Sequence, residues 1–140
     1  MFQTGIAVRP IRSLYNLGRR GIEYDLLPWC KQRGMPVVAY SPLGDGGLVH
    51  DLTLAKIGAA HGCSATAVAL AWAIRSGGVI AIPESGSPAH VKESAVALSL
   101  TLTRQELETL DAAHPVWSVD VLRSLLDRGK RWLRSFRNDL

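Results

Sequence analysis

With 140 residues, 47% of them hydrophobic and 20% charged, the chain has the make-up of one globular domain able to bury a core. No segment approaches the ~20 apolar residues of a membrane-spanning helix, and Met1-Phe2-Gln3-Thr4-Gly5 lacks the basic region and apolar run of a signal peptide, so a cytoplasmic location is expected and a membrane partner is not. The formal net charge of +4 gathers at the end, where six basic residues between Pro115 and Leu140 face three acids and supply +3 of it.

In chain order, Leu14 to Leu17 is a candidate strand, and Gly21 to Arg33 is the first clear helical pattern, with Ile22, Leu26, Leu27, Trp29 and Cys30 as its apolar residues. Gly34-Met35-Pro36 stops it. Val37 to Tyr40, held between Pro36 and Pro42, fits a strand buried on both faces. The loop from Ser41 to Asp51 carries Gly44, Gly46 and Gly47, which open backbone conformations closed to other residues. Two helices are expected next, Thr53 to His61 and Ser64 to Ser76, the second capped by Ser64 or Thr66 and apolar at Val68, Leu70, Ala71, Trp72 and Ile74. Val79 to Ile82 is a further short strand, stopped by Pro83. Ser87 as N-cap and Pro88 in the first position open a helix toward Leu98, and Thr103-Arg104-Gln105-Glu106 is a capping box for a helix to about Ala113.

This alternation is that of an α/β protein with parallel strands. Two or three such strands cannot cover their own edges, and a complete eight-stranded α/β barrel takes ~250 residues, so the pattern implies further sheet.

The loops after the two clear strands are alike in kind, and loops at the carboxyl ends of strands are where α/β folds hold ligands. Ala39-Tyr40-Ser41-Pro42-Leu43-Gly44 offers an aromatic face, a hydroxyl and amides near glycine, suited to a planar ring and a phosphate. Ile82-Pro83-Glu84-Ser85-Gly86-Ser87-Pro88 leads into a helix whose free amides and positive dipole end favour a phosphate. Taken singly, each reads as an ordinary strand end or helix cap.

Other chemistry finds little support. Cys30 and Cys63 form no CxxC and read as reduced thiols. His50, His61, His90 and His114 are scattered without HExxH spacing, so no metal site is expected, and Glu84-Ser85-Gly86 lacks the first glycine of a nucleophile elbow.

The strings Gly-Ile-Glu-Tyr-Asp-Leu-Leu-Pro-Trp-Cys (21–30), Val-Val-Ala-Tyr-Ser-Pro-Leu (37–43), Ala-Val-Ala-Leu-Ala-Trp (67–72), Val-Ile-Ala-Ile-Pro-Glu-Ser-Gly-Ser-Pro-Ala-His-Val-Lys-Glu-Ser (79–94) and Leu-Thr-Arg-Gln-Glu-Leu-Glu-Thr-Leu-Asp (102–111), in this order and spacing, resemble the aldo/keto reductase family. The resemblance runs over 14–114, after a divergent segment 1–13 and before a basic tail 115–140. It implies a partial (β/α)8 TIM barrel: the end of the sixth strand, then the seventh and eighth strands with their helices. It also implies a nicotinamide dinucleotide cofactor, NADP or NAD, with Tyr40 stacked on the nicotinamide and Ser41, Leu43 and Gly44 along the pyrophosphate. Glu84, Ser85, Gly86, Ser87, His90, Glu93 and Ser94 would surround the adenosine end.

Family members reduce aldehydes and ketones with NADPH, using a tyrosine, lysine, aspartate and histidine from the first half of the barrel. Those four have no counterpart expected here, and Tyr15 and Tyr24 do not replace them. Where the family has Asn-Gln-Val before Leu-Tyr-Asn, this chain has Ile11-Arg12-Ser13, an edge with the look of a truncated or rearranged reading frame. Glu84 stands where a lysine is usual and His90 where arginine is frequent. A carboxylate repels the 2′-phosphate of NADPH but accepts hydrogen bonds from a ribose hydroxyl, so the preference is expected to lean toward NADH.

In the tail, Val119, Leu122, Leu125, Leu126, Leu133 and Phe136 fall near helical spacing among arginines, the pattern of an amphipathic basic helix packed on the barrel's outside. The competing function is a non-enzymatic interaction protein, self-associating through exposed sheet edges or pairing with a complementing half-barrel. A nucleic-acid partner is not expected, because the positive charge is not interleaved with stacking aromatics.

Overall fold

A computed structural model of the chain describes residues 9–116, so the expected tail helix lies outside the described residues. Three strands, β1 (Ile11–Leu14), β2 (Val37–Tyr40) and β3 (Val79–Ala81), pair in parallel in the order β1-β2-β3. Five helices follow or intervene: α1 (Leu26–Gln32), α2 (Leu52–His61), α3 (Ala65–Ile74), α4 (Pro88–Val96) and α5 (Arg104–Ala113). Parallel neighbours joined in sequence order, with helices in every connection, are arranged as consecutive units of a β/α barrel would be. Among these residues no single helix is long and apolar enough to cross a membrane.

β1 lies three residues earlier than the expected Leu14 to Leu17. Ile11-Arg12-Ser13-Leu14 has no apolar run of its own and is recruited by its neighbour, the Ile11 amide donating to Pro36 O and each residue lying opposite one of β2. The helix expected over Gly21 to Arg33 is broken into a 3-10 turn, Gly21–Glu23, and α1. Pro28 has no amide to give the carbonyl of Tyr24 and its ring would strike it, so the chain restarts with the Asp25 carboxylate accepting from the Leu26 amide. The other helix starts follow their capping residues. Asp51 caps α2, Ser64 rather than Thr66 caps α3, and Thr103 with Glu106 forms the expected capping box of α5.

Nearly all of α3 is buried, and its alanines let the sheet and flanking helices approach closely. Trp72, fully buried, packs on Tyr15 with ring centroids 5.4 Å apart. The α2–α3 pair turns through 93°, and Gly58 makes the corner possible: a Cβ there would lie 2.6 Å from Cys63 O.

The two faces of the sheet differ. Register sets Ile11, Val37 and Val79 in one row and Ser13, Ala39 and Ala81 in the next, and the β2 and β3 members at Val37, Ala39 and Val79 are buried in the core. On the opposite face Tyr40, Ile80 and Ile82 are exposed, so the expectation of a strand buried on both faces is not met. On that face Val38 is half-buried while Tyr40 and Ile80 lie open.

Candidate functional site

Parallel pairing brings the two suspected loops together. Ala39 lies opposite Ala81, and the Ile82 amide donates to Ala39 O at 3.1 Å, so the segments beginning at Tyr40 and Pro83 leave the same end of adjacent strands. At that end Tyr40 is 41% exposed.

The first loop is a chain of tight turns. Ser41 adopts a left-handed conformation, φ 48°, uncommon for a residue with a side chain, and its carbonyl accepts the Gly44 amide at 3.0 Å. Gly44 is also left-handed, and its carbonyl accepts from the Gly47 amide. Leu43 anchors the loop by packing between the main core and the small cluster of Leu70, Ala71 and Ala97.

The second loop ends on α4. Ser87 occupies the N-cap position and Pro88 the first turn, as expected, but the Ser87 hydroxyl makes no capping bond. Ser85 intervenes: its hydroxyl accepts the Ser87 amide at 3.1 Å and donates to Ser87 O at 3.3 Å. The first-turn amides of α4 therefore have no side-chain cap and remain available to an outside acceptor. Gly86 has open space where a Cβ would stand.

Of the eleven residues singled out, Tyr40, Glu84, Ser85, Gly86, His90 and Glu93 are exposed, and Ser41, Leu43, Gly44, Ser87 and Ser94 are partly so. Tyr40 to Gly44 and Glu84 to Ser87 follow β2 and β3 directly, while His90, Glu93 and Ser94 lie within α4. The cavities lie elsewhere: a groove of about 700 Å³ between α1 and the α3–β3 turn, and one of about 420 Å³ between α3, β3 and α4 that Ser94 alone of the eleven reaches.

Two features carry no signal in residue spacing. Asn16, 1% exposed in the turn after β1, donates from Nδ2 to Ser41 O at 2.8 Å and accepts the Gly18 amide on Oδ1 at 2.9 Å. The second is a charge cluster centred on the buried Arg20. The Arg20 guanidinium bonds Glu23 at 2.9 Å and Asp111 at 2.7 Å and lies 5.0 Å from the Trp72 ring centroid, while Arg75 lies 3.9 Å from that centroid and bonds Glu23 and Tyr15.

Burial alone would raise the Glu23 carboxyl, yet hydrogen bonds from Arg20, Tyr15 and Arg75 hold it below the usual carboxylate range. Burial, reinforced by donation to Glu23, pushes the Tyr15 hydroxyl up to about 12. Tyr15 is thus tied into the framework, and the Tyr24 hydroxyl is directed to Val116 O at 3.3 Å.

The profile of the Aldo/keto reductase family matches residues 6–115. The chain belongs to the aldo/keto reductase family. Among curated family members, methylglyoxal reductase YeaE of Escherichia coli is 50% identical over 107 residues, covering 73% of this chain and 38% of the enzyme. Among solved members, an aldo-keto reductase from Klebsiella pneumoniae in complex with NADPH is 43% identical with a TM-score of 0.71, covering 74% of this chain and 38% of that one. A second Klebsiella pneumoniae aldo/keto reductase structure, with NADP and acetate, is 42% identical with a TM-score of 0.72, over 76% and 39% of the two chains. The chain thus spans about two-fifths of the length of these aldo/keto reductases, and its three strands and five helices are part of their barrel.

Proposed function

We infer that this chain holds a nicotinamide dinucleotide across the exit turns of β2 and β3, as the cofactor-binding part of an enzyme that reduces aldehydes and ketones. One observation carries the reading: the hydrogen bond from Ile82 to Ala39 sets an exposed aromatic ring beside a loop whose helix start lacks a side-chain cap. The ring suits a flat nicotinamide, and the α4 amides with Ser85 and Ser87 suit charged oxygens. The NADPH and NADP complexes of the Klebsiella pneumoniae relatives support the same assignment.

The dinucleotide, when held, supplies the hydride. The chain's own residues position it: Tyr40 against the ring, Ser41, Leu43 and Gly44 along the pyrophosphate, and Glu84, Ser85, Gly86, Ser87, His90, Glu93 and Ser94 about the adenosine. Residues 14–114 act here as the C-terminal part of the barrel, and the proton donor comes from a first-half barrel. Tyr15 and Tyr24 do not supply it, their hydroxyls being engaged with Glu23 and Val116 O.

Titration with NADPH and NADH tests the binding: saturable affinity that falls tenfold or more in Tyr40→Ala is expected, and no affinity for either dinucleotide refutes the reading. The chain alone should oxidise neither cofactor in the presence of an aldehyde, and addition of an N-terminal half-barrel should restore that oxidation.

A second reading rests on the sheet face with the exposed Tyr40, Ile80 and Ile82 and on the unpaired outer edges of β1 and β3 among the described residues. On that reading the protein associates with itself and binds no cofactor. A homogeneous dimer by light scattering, without dinucleotide affinity, would decide for it.

A further inference from the structure

We propose that Asn16 is the positioning residue of the dinucleotide site: from within the turn after β1 it holds Ser41 in the conformation that presents the first cofactor loop. The proposal rests on the reading above.

Asn16 itself cannot touch a ligand, being 1% exposed. Its own turn is closed on both sides, the Asn16 amide donating to Arg19 O at 3.3 Å and the Arg19 amide donating to Asn16 O at 3.0 Å. The side-chain oxygen accepts from Gly18, fixing the carboxamide. What remains is the Nδ2 donor, and it is spent on a residue 25 positions away, the carbonyl of Ser41.

That carbonyl needs holding. Ser41 is left-handed at φ 48°, a region that side chains disfavour and that persists where surrounding structure over-determines it. The Gly44 amide and the Asn16 carboxamide converge on the one oxygen, at 3.0 and 2.8 Å. Together they turn the peptide after Ser41 inward and fix the backbone on which Tyr40 and Ser41 are carried. The loop lies close enough to feel the carboxamide again at Gly44, where a Cβ would stand 3.8 Å from Asn16 Nδ2. Three consecutive elements are thereby coupled: β1 sets the turn, the turn sets Asn16, and Asn16 sets the exit of β2. The second loop has no such link to Asn16. Its serines satisfy each other, and it is anchored through β3 and α4.

This separation supplies the test. Asn16→Asp keeps the shape and the acceptor for Gly18 but replaces the donor to Ser41 with an oxygen. In the full chain, NADH should bind at least tenfold more weakly to Asn16→Asp. Adenosine 5′-monophosphate, a probe that reaches only the second loop, should bind within twofold of the parent. A parallel loss of both ligands means a merely structural asparagine and overturns the proposal, as does unchanged NADH affinity. Asn16→Ser, smaller and uncharged, carries the same comparison should the aspartate variant fail to fold. Ser41→Gly adopts the left-handed turn without strain, so combined with Asn16→Asp it should return part of the lost affinity; strictly additive losses overturn the proposal. A parent chain that binds neither probe sinks the dinucleotide reading and Asn16 with it, whereas a parent that binds both while Asn16→Asp matches it sinks Asn16 alone.

Discussion

Gly58→Ala is the substitution for which local and tertiary physics disagree in sign. Within α2, alanine is favoured over glycine by about 1 kcal/mol, so helix propensity alone predicts a more stable protein. The corner between α2 and α3 predicts the reverse. The new Cβ would lie 2.6 Å from Cys63 O and 3.1 Å from both Ser64 C and Ser64 O, all backbone atoms that cannot swing aside as a side-chain tip would. Reaching ordinary contact requires α2 and the connection to separate by most of an ångström, against the hydrogen bond from the Cys63 amide to Gly58 O at 2.8 Å. Overpacking of this kind costs about 1–3 kcal/mol, and with rigid backbone on the receiving side the upper end applies, leaving a net loss of about 2 kcal/mol. For a body of this size the loss corresponds to a melting midpoint roughly 10 °C lower. Circular dichroism melts of the parent, Gly58→Ala and Gly21→Ala provide the assay. Gly21 has nothing within 4 Å of its would-be Cβ and should change little. If Gly58→Ala melts at or above the parent midpoint, the corner does not depend on the missing side chain and the argument is wrong.

Thr103→Ala removes the hydroxyl that accepts the Glu106 amide at 3.2 Å and should cost about 1 kcal/mol, read as a lower urea midpoint with unchanged slope. The charge cluster should make stability fall at both ends of the pH scale. Tyr15, raised to about 12, stabilises the fold fully below pH 10 and progressively less as pH rises toward 12; Glu23, lowered from 4.5, stabilises it above that value and less as pH falls through its own. Urea unfolding across pH checks both: Tyr15→Phe should remove part of the alkaline limb and Glu23→Gln part of the acid limb. At the candidate site, the parent should favour NADH and Glu84→Lys should shift relative affinity toward NADPH. A parent that binds NADPH tenfold tighter than NADH would contradict the role given to that carboxylate.

What the sequence made legible was whatever a few neighbouring residues decide. The capping box at Thr103-Glu106, the Ser64 cap and the proline stops of β2 and β3 are local, and each places its element within a residue or two. β1 was displaced because Ile11-Arg12-Ser13-Leu14 becomes a strand only by pairing with β2. The partly exposed face of β2 was not legible, since Val37-Val38-Ala39-Tyr40 reads as apolar throughout and burial depends on what lies across the sheet. At the site, parallel strands and the family resemblance sufficed to put the loops after β2 and β3 at the same end of adjacent strands. Neither could show that Ser85 engages Ser87 and leaves α4 without a side-chain cap, or that Asn16 reaches Ser41, because both are decided by how turns fold back in three dimensions.

The immediate pairing of β2 with β3 has a consequence for how much of the molecule a bridging ligand depends on. Adjacent strands stand roughly 5 Å apart, so a single step across one ladder separates the exits of β2 and β3. The helical hairpin of α2 and α3 separates them in sequence but is a detour on the far side of the sheet, outside that short span. The spacing of those two exits is accordingly a property of one strand pair.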